Sequence, residues 1–90
     1  MTKTITPILP ILSINGTSKN ALIDGYVAAI SALQEAEGKL RLTLPHGRDY
    51  QGDTERYVAA RKEHADRVLR LQEITEEIEA IALGIQLGGR

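Results

Sequence analysis

The sequence predicts an all-α protein, in which an extended N-terminal arm precedes an antiparallel two-helix hairpin that dimerises into a four-helix bundle. Apolar residues recur at alternating three- and four-residue steps in two long stretches, one on each side of residues 43–52. They are mostly Ile, Leu, Val and Ala, with no Phe or Trp, a composition that suits interdigitating helices. Both apolar stripes are wider than one helix–helix seam, so a lone hairpin would leave part of each in water.

Composition narrows the classes of function. The chain has 90 residues, which suit one small domain. It has no cysteine, which excludes disulfides, thiolate zinc sites and thiol nucleophiles. The net charge of −1 disfavours the general electrostatic attraction on which nucleic-acid binding usually depends. We therefore expect no cofactor and no metal site, and nucleic acid is a disfavoured partner.

The N-terminal arm, residues 1–16, is apolar but cannot form a regular helix, because Pro7 and Pro10 interrupt it. Its isoleucines and leucines are too numerous to leave in water, so we expect the arm to pack on another part of the protein. The segment is too short to span a membrane. It also lacks the charge and the cleavage site of a signal peptide, so we expect a cytoplasmic protein without membrane contact.

The first helix is predicted over about residues 18–42, with Thr17 or Ser18 as its N-cap. Its apolar stripe consists of Ile23, Tyr26, Ile30, Leu33, Leu40 and Leu44, and Glu37 interrupts it. Residues 39–44 also alternate with period two, so a short strand is an open alternative there. Pro45 ends the element in either case.

The second helix is predicted over about residues 53–86, with Asp53 or Thr54 as its N-cap. Its stripe consists of Tyr57, Ala60, His64, Val68, Leu71, Ile74, Ile78, Ile81 and Ile85. Two pairs of opposite charge at four-residue spacing, Glu63 with Arg67 and Asp66 with Arg70, add support. Residues 17–87 thus form the hairpin, with a loop over 43–52, and residues 88–90 fray.

The two predicted helices differ in length. At 1.5 Å per residue, the second is about 50 Å long and the first is about 37 Å long. If the first helix folds back directly from the loop, it ends level with residue 78 of the second. Ile81 and Ile85 would then have no partner in the hairpin. Because the arm emerges at this end, we expect it to cover the protruding end of the second helix.

Charge is divided between the two halves of the second helix. The first half is mostly basic and carries Arg56, Arg61, Lys62, Arg67 and Arg70, whereas the second half is acidic and carries Glu73, Glu76, Glu77 and Glu79. An antiparallel copy would set each basic half against an acidic half. We therefore predict a two-fold homodimer whose interface includes Arg56, Arg67, Arg70, Glu73 and Glu77. The alternative is a solvated face, since exposed ion pairs contribute little.

The loop LPHGRDYQGD, residues 44–53, holds the densest group of chemically capable side chains, namely His46, Arg48, Asp49 and Tyr50. His46 could act as acid or base with Asp49 orienting it, and Arg48 could hold an anion. Each also fits a turn, in which Asp49 bonds to nearby amides and Tyr50 covers the hairpin end. No second cluster completes a catalytic set, so we predict no catalytic residue and place a partner-binding tip here.

Three segments, NGTSK, PHGRDYQG and ARKEHADRVLRLQEI, resemble a group of small phage and prophage proteins with helical sequences. The shared features are an Asn-Gly-Thr-Ser start at residues 15–18 and a Gly-Arg-Asp-Tyr turn at residues 47–50. The resemblance implies a phage or prophage context, and it implies no mechanism. This chain departs from it at Gln51, where such turns often carry a second tyrosine.

The sequence as a whole predicts a non-catalytic helical module for protein interaction or structure, forming a homodimer and possessing an unidentified protein partner. The alternative is a small regulatory protein that binds nucleic acid or a host protein. An enzyme is not expected.

Overall fold

A computed structural model describes residues 6–88 of the chain. Two helices, α1 (Lys19–Arg41) and α2 (Thr54–Gln86), are joined by a connection that contains a short 3₁₀ helix, Gly47–Tyr50. The described residues contain no strand, so the prediction of an all-α hairpin is confirmed. They form an elongated body of 63 × 23 × 16 Å.

The strand alternative for residues 39–44 is wrong. The amides of Leu42, Thr43 and Leu44 donate to the carbonyls three residues earlier, at 3.1, 3.0 and 3.3 Å. This tightened last turn uses the backbone donors that a strand would need. The alternation of apolar residues reflects side chains leaving a helix end, with Leu42 exposed and Leu40 half-buried.

Side-chain oxygens cap the start of both helices. The Ser18 hydroxyl accepts from the Ala21 amide at 3.1 Å, and the Asp53 carboxylate accepts from the Arg56 amide at 2.9 Å. Each bond satisfies one of the amides that a first turn leaves without a helical partner. Of the alternatives at each start, Ser18 and Asp53 are therefore the caps.

The register of the helices differs from a direct fold-back. The Gln72 amide donates to the Glu37 carboxylate at 3.1 Å, and Tyr26 lines the same groove as Ile78. Ala21 and Leu22, in the first turn of α1, line this groove too, so α1 begins beside the last turns of α2. The expected overhang of α2 beyond residue 78 is therefore wrong.

The extra length of α2 lies at the loop end, where its first ten residues extend past α1. The connection runs alongside these residues, with the Tyr50 ring 5.9 Å from that of Tyr57. Gly52 allows this path because it adopts φ +84°, a conformation that favours glycine. The connection between the helices therefore runs beside the first turns of α2. A prediction from the helix lengths alone assumes an immediate turn and misses this path.

The seam of α2 follows a seven-residue repeat. The residues on it are His64, Val68, Leu71, Thr75, Ile78, Ala82 and Ile85, and His64, Val68, Thr75 and Ile85 are buried. Thr75 takes the seam position that was expected for Ile74, which is 47% exposed. The Thr75 hydroxyl donates to the Leu71 carbonyl at 3.0 Å. Steps of four and three average 3.5 residues per turn, the period of helices that coil around each other.

The arm contacts α2 at Gly84. A Cβ atom on Gly84 would lie 2.6 Å from Leu9 Cδ1 and 2.8 Å from Leu9 Cδ2, so the leucine occupies the place of a side chain. Gly84 is nine residues, or about two and a half turns, from Thr75 on the seam. Leu9 therefore packs on a different face of α2 from the seam.

The arm leaves its isoleucines in water, contrary to the expectation that its apolar side chains pack. Ile8, Ile11 and Ile14 are almost fully exposed, whereas Leu9 and Leu12 are half-buried. Ile14 lies in the turn in which the Gly16 amide donates to the Ser13 carbonyl at 3.2 Å. The leucines of the arm thus pack in part, and its isoleucines do not.

Candidate functional site

The hairpin encloses a thin core. Val68 and Ile85 are the buried apolar residues of the described chain, and α1 has no buried residue. The chain exposes 6919 Å², whereas a compact monomer of 9.9 kDa exposes about 5,200 Å². The difference, about 1,700 Å², makes the surface of the hairpin the first candidate for function.

One apolar patch lies on the outer edge between the helices. It consists of Leu40, Leu71 and Ile74, and together with Arg67 and Arg70 it lines an open groove of about 400 Å³. We call these three apolar residues the Ile74 patch. Ile74 is on it because Thr75 occupies the seam, and the guanidinium groups lie beside it.

Of the predicted interface residues, Arg67, Arg70, Glu73 and Glu77 lie on α2 near this patch. Arg56 lies in the first turn of α2, about four turns away. Arg67 forms a loose ion pair with Glu63 at 3.7 Å, and Arg70 pairs with Asp66 at 2.9 Å. The four-residue pairs predicted from the sequence are therefore confirmed. Both arginines remain more than half exposed. Among residues 6–88, the ion pairs within 4 Å do not include Arg56, Glu73 or Glu77.

The loop does not assemble a catalytic group. His46, Arg48 and Asp49 are exposed, and within the described part of the chain their side chains form no hydrogen bond. Tyr50 is half-buried, with its ring against that of Tyr57. The expectation that the Asp49 side chain bonds to loop amides is wrong. The carboxylate that caps α2 belongs to Asp53.

The loop instead builds an aromatic and cationic cluster that sequence reasoning missed. The Arg61 guanidinium lies 5.8 Å from the centre of the Tyr57 ring and donates to its hydroxyl at 3.4 Å. Tyr50 covers another side of the same ring. The available signal was the four-residue spacing of Tyr57 and Arg61, which places both on one helix face.

Two aspartates near the loop should therefore respond differently to alanine. Asp53→Ala should lower the free energy of unfolding by about 1 kcal/mol, because it removes the N-cap of α2. Asp49→Ala should change it by less than about 0.5 kcal/mol. Urea unfolding of both variants measures the difference. Equal losses would mean that the Asp49 carboxylate also holds the turn.

A polar cluster crosses the helix seam at Glu37. One oxygen of this carboxylate, Oε2, accepts from Gln72 Nε2 at 3.1 Å and from Arg41 Nε and Nη2 at 3.1 and 2.9 Å. The Glu37 side chain is 20% exposed. Hydrogen bonds from Gln72 and then Arg41 hold the pKa of Glu37 below its ordinary value, against the opposing effect of burial. The residue that interrupts the apolar stripe thus fixes the register of the helices.

This cluster predicts a dependence of stability on pH. Because the pKa of Glu37 is lowered by folding, its contribution is present above the pKa of the unfolded state and is lost as pH falls through the folded value. Relative to Glu37→Gln, the natural chain should lose stability below about pH 4.5. Urea unfolding of the natural chain and of Glu37→Gln, from about pH 6 to pH 3, measures this difference.

The matched control for this experiment is Glu35→Gln. Glu35 is an exposed carboxylate on α1, and its side chain forms none of the hydrogen bonds found in residues 6–88. This variant should keep the pH dependence of the natural chain. If Glu37→Gln and the natural chain lose stability in parallel on acidification, the cluster does not contribute.

His64 occupies the seam as a buried side chain. It lines a second open groove of about 500 Å³ with Arg41, Leu44, Val68 and Gln72, beside Ala65 and Leu69. Within residues 6–88, His, Cys, Asp and Glu side chains form no group of three or more that could hold a metal ion. The helices described here also include none that is long and apolar enough to cross a membrane.

Comparison of the chain with models of protein families, with curated proteins and with solved structures found no match in any of the three. The features of residues 6–88 that bear on function are the open hairpin, the Ile74 patch, the exposed arm and the loop cluster.

Proposed function

We propose that the protein is a non-catalytic helical module for interaction or assembly, and that a second copy of the chain completes its hairpin. The observation that supports this most strongly is the excess of exposed surface over a compact monomer, about 1,700 Å². A protein–protein interface of ordinary size removes about 800 Å² from each partner. One such interface therefore accounts for about half of the excess.

The distribution of apolar residues supports the same proposal. Ile74 and Val27, one on each helix, are about half exposed, and α1 has no buried residue. Large apolar side chains on both helices that remain in contact with water are typical of half a bundle. A homodimeric four-helix bundle would cover these positions with identical surfaces.

Sedimentation velocity over a concentration series from low to high micromolar tests this proposal. We expect the mass to rise from monomer to dimer, together with a thermal unfolding midpoint that increases with concentration, since association stabilises the folded state. A chain that sediments only as a monomer at high micromolar concentration, with a midpoint independent of concentration, would show that the hairpin is complete alone.

We also propose a phage or prophage context, on the basis of the segments that resemble small phage proteins. The prediction concerns the genes beside the one that encodes this chain. Genes for phage head, tail or lysis proteins on either side would support an assembly role. Neighbouring genes of ordinary cellular metabolism would contradict the phage context, and they would leave the dimer proposal to the sedimentation experiment.

A further inference from the structure

We propose that two copies pair antiparallel through the outer face of α2, about a two-fold axis near residue 72. Ile74 of each copy then lies against Leu40 and Leu71 of the other, and Arg67 of each copy is level with Glu77 of the other. This inference rests on the proposed dimer and specifies its surface and register.

The outer face is a regular stripe in its own right. Arg67, Arg70, Ile74 and Glu77 follow one another at steps of three, four and three residues, so they share one side of α2. Two basic residues precede the isoleucine and an acidic residue follows it. We call these four residues the outer stripe. It borders the groove formed by the Ile74 patch.

An antiparallel copy matches this stripe residue by residue. With the axis near residue 72, the numbers of two facing residues add up to about 144. Arg67 of one copy therefore faces Glu77 of the other, and Arg70 faces Ile74. Glu73 of one copy is level with Leu71 of the other copy and lies beside Arg70 of that other copy. Leu40 and Leu71 line one groove within each copy, and the incoming Ile74 reaches that groove. A parallel copy would instead place like charges side by side.

The charges on α2 favour the pairing of Arg67 with Glu77 between copies. Glu77 lies four residues after Glu73, so the two carboxylates repel each other on α2, and the last turn contains no basic residue. Within residues 6–88, the ion pair of Arg67 is the loose one with Glu63. Pairing of Arg67 with Glu77 between copies would neutralise the acidic half without breaking a close ion pair.

The arm limits the extent of the contact. Gly84 lies seven residues after Glu77, so it continues the outer stripe, and Leu9 covers the stripe at that point. The open part of the stripe therefore ends before Gly84. With the axis near residue 72, Gly84 is level with Ala60 of the other copy, so the two α2 helices must diverge before they reach the arm. The contact is then centred on the open Ile74 patch. Arg56 would be level with Gly88, so this register removes it from the predicted interface.

Charge reversal tests the pairing in the full chain. Arg67→Glu and Glu77→Arg should each raise the dimer dissociation constant about tenfold or more, because the two-fold axis repeats each like-charge contact. The double variant, Arg67→Glu with Glu77→Arg, should return it to within about threefold of the natural value. Sedimentation equilibrium measures the constants, and far-ultraviolet circular dichroism checks that helicity is retained.

The control is Glu79→Arg, which makes the same charge change two residues away and on a different face of α2. It should leave the dissociation constant near its natural value and should not rescue Arg67→Glu. A dimer that tolerates both single reversals would overturn this surface while leaving the dimer itself established. Loss in both single variants without recovery in the double variant would overturn the pairing of Arg67 with Glu77. A natural chain that is monomeric would overturn the dimer proposal and this register with it.

Discussion

Ile85→Ala should destabilise the protein more than any other apolar truncation, by about 2–4 kcal/mol. Ile85 is fully buried, with 0% of its surface exposed, near the end of α2 that is level with the first turn of α1. Removing three carbons there loses the transfer free energy of the side chain and leaves a cavity. In a small domain whose core is thin, this is a large share of the total stability.

The measurement is urea unfolding followed by circular dichroism, at one fixed protein concentration so that association does not confuse the comparison. Leu87→Ala is the matched control, because Leu87 lies two residues further on and is 78% exposed. It should change the free energy of unfolding by less than about 0.5 kcal/mol. A loss below about 1 kcal/mol in Ile85→Ala would mean that the end of α2 is not closely packed.

Gly84→Ala should release the arm. In an open helical position this change would stabilise the helix by about 1 kcal/mol. At Gly84 the new methyl group would lie 2.6 Å from Leu9 Cδ1, so the leucine must move away. We expect a net loss of about 1–2 kcal/mol and faster proteolysis within residues 6–14, measured by urea unfolding and limited digestion.

Two glycines and one leucine provide the controls. A Cβ atom added at position 25 or 38 of α1 would meet no neighbouring atom within 4 Å. Gly25→Ala and Gly38→Ala should therefore each stabilise the chain. In a background of Leu9→Ala the obstruction is gone, and Gly84→Ala should then become neutral or stabilising. If Gly84→Ala stabilises the chain that retains Leu9, the arm contributes nothing at this contact.

The helical hairpin could be predicted because its signals are local. Ser18 and Asp53 place side-chain oxygens at the helix starts, and Pro45 disfavours continuation of the first helix. The apolar periodicity between these points is long enough to exclude most other structures. None of these signals depends on how the two helices meet.

The register could not be predicted, because it depends on contacts between residues distant in sequence. Glu37 interrupts an apolar stripe, and only the approach of Gln72 turns it into the residue that aligns the helices. The seam position of Thr75 has the same origin. A sequence pattern favours Ile74 for its apolar side chain, whereas two coiled helices with a 3.5-residue period select the neighbouring position.

The loop was predictable only in part. Gly52 adopts φ +84°, a conformation that favours glycine, so a glycine at this turn is a local signal. The sequence predicts Asp53 or Thr54 as the N-cap of α2, and the Asp53 carboxylate accepts from the Arg56 amide. The predicted bond from Asp49 to nearby amides is absent from residues 6–88. The partner-binding role of His46, Arg48, Asp49 and Tyr50 stays a prediction.

The contact between Leu9 and Gly84 joins residues near opposite ends of the described chain, and this has a consequence for the kinetics of folding. A contact so distant in sequence forms readily only after other parts of the chain have brought its two sides together. Pairing of α1 with α2 does this, so the arm docks late and contributes little to the folding transition state. Substitutions in the arm should consequently change the rate of unfolding rather than the rate of folding, so the docked arm prolongs the lifetime of the folded hairpin.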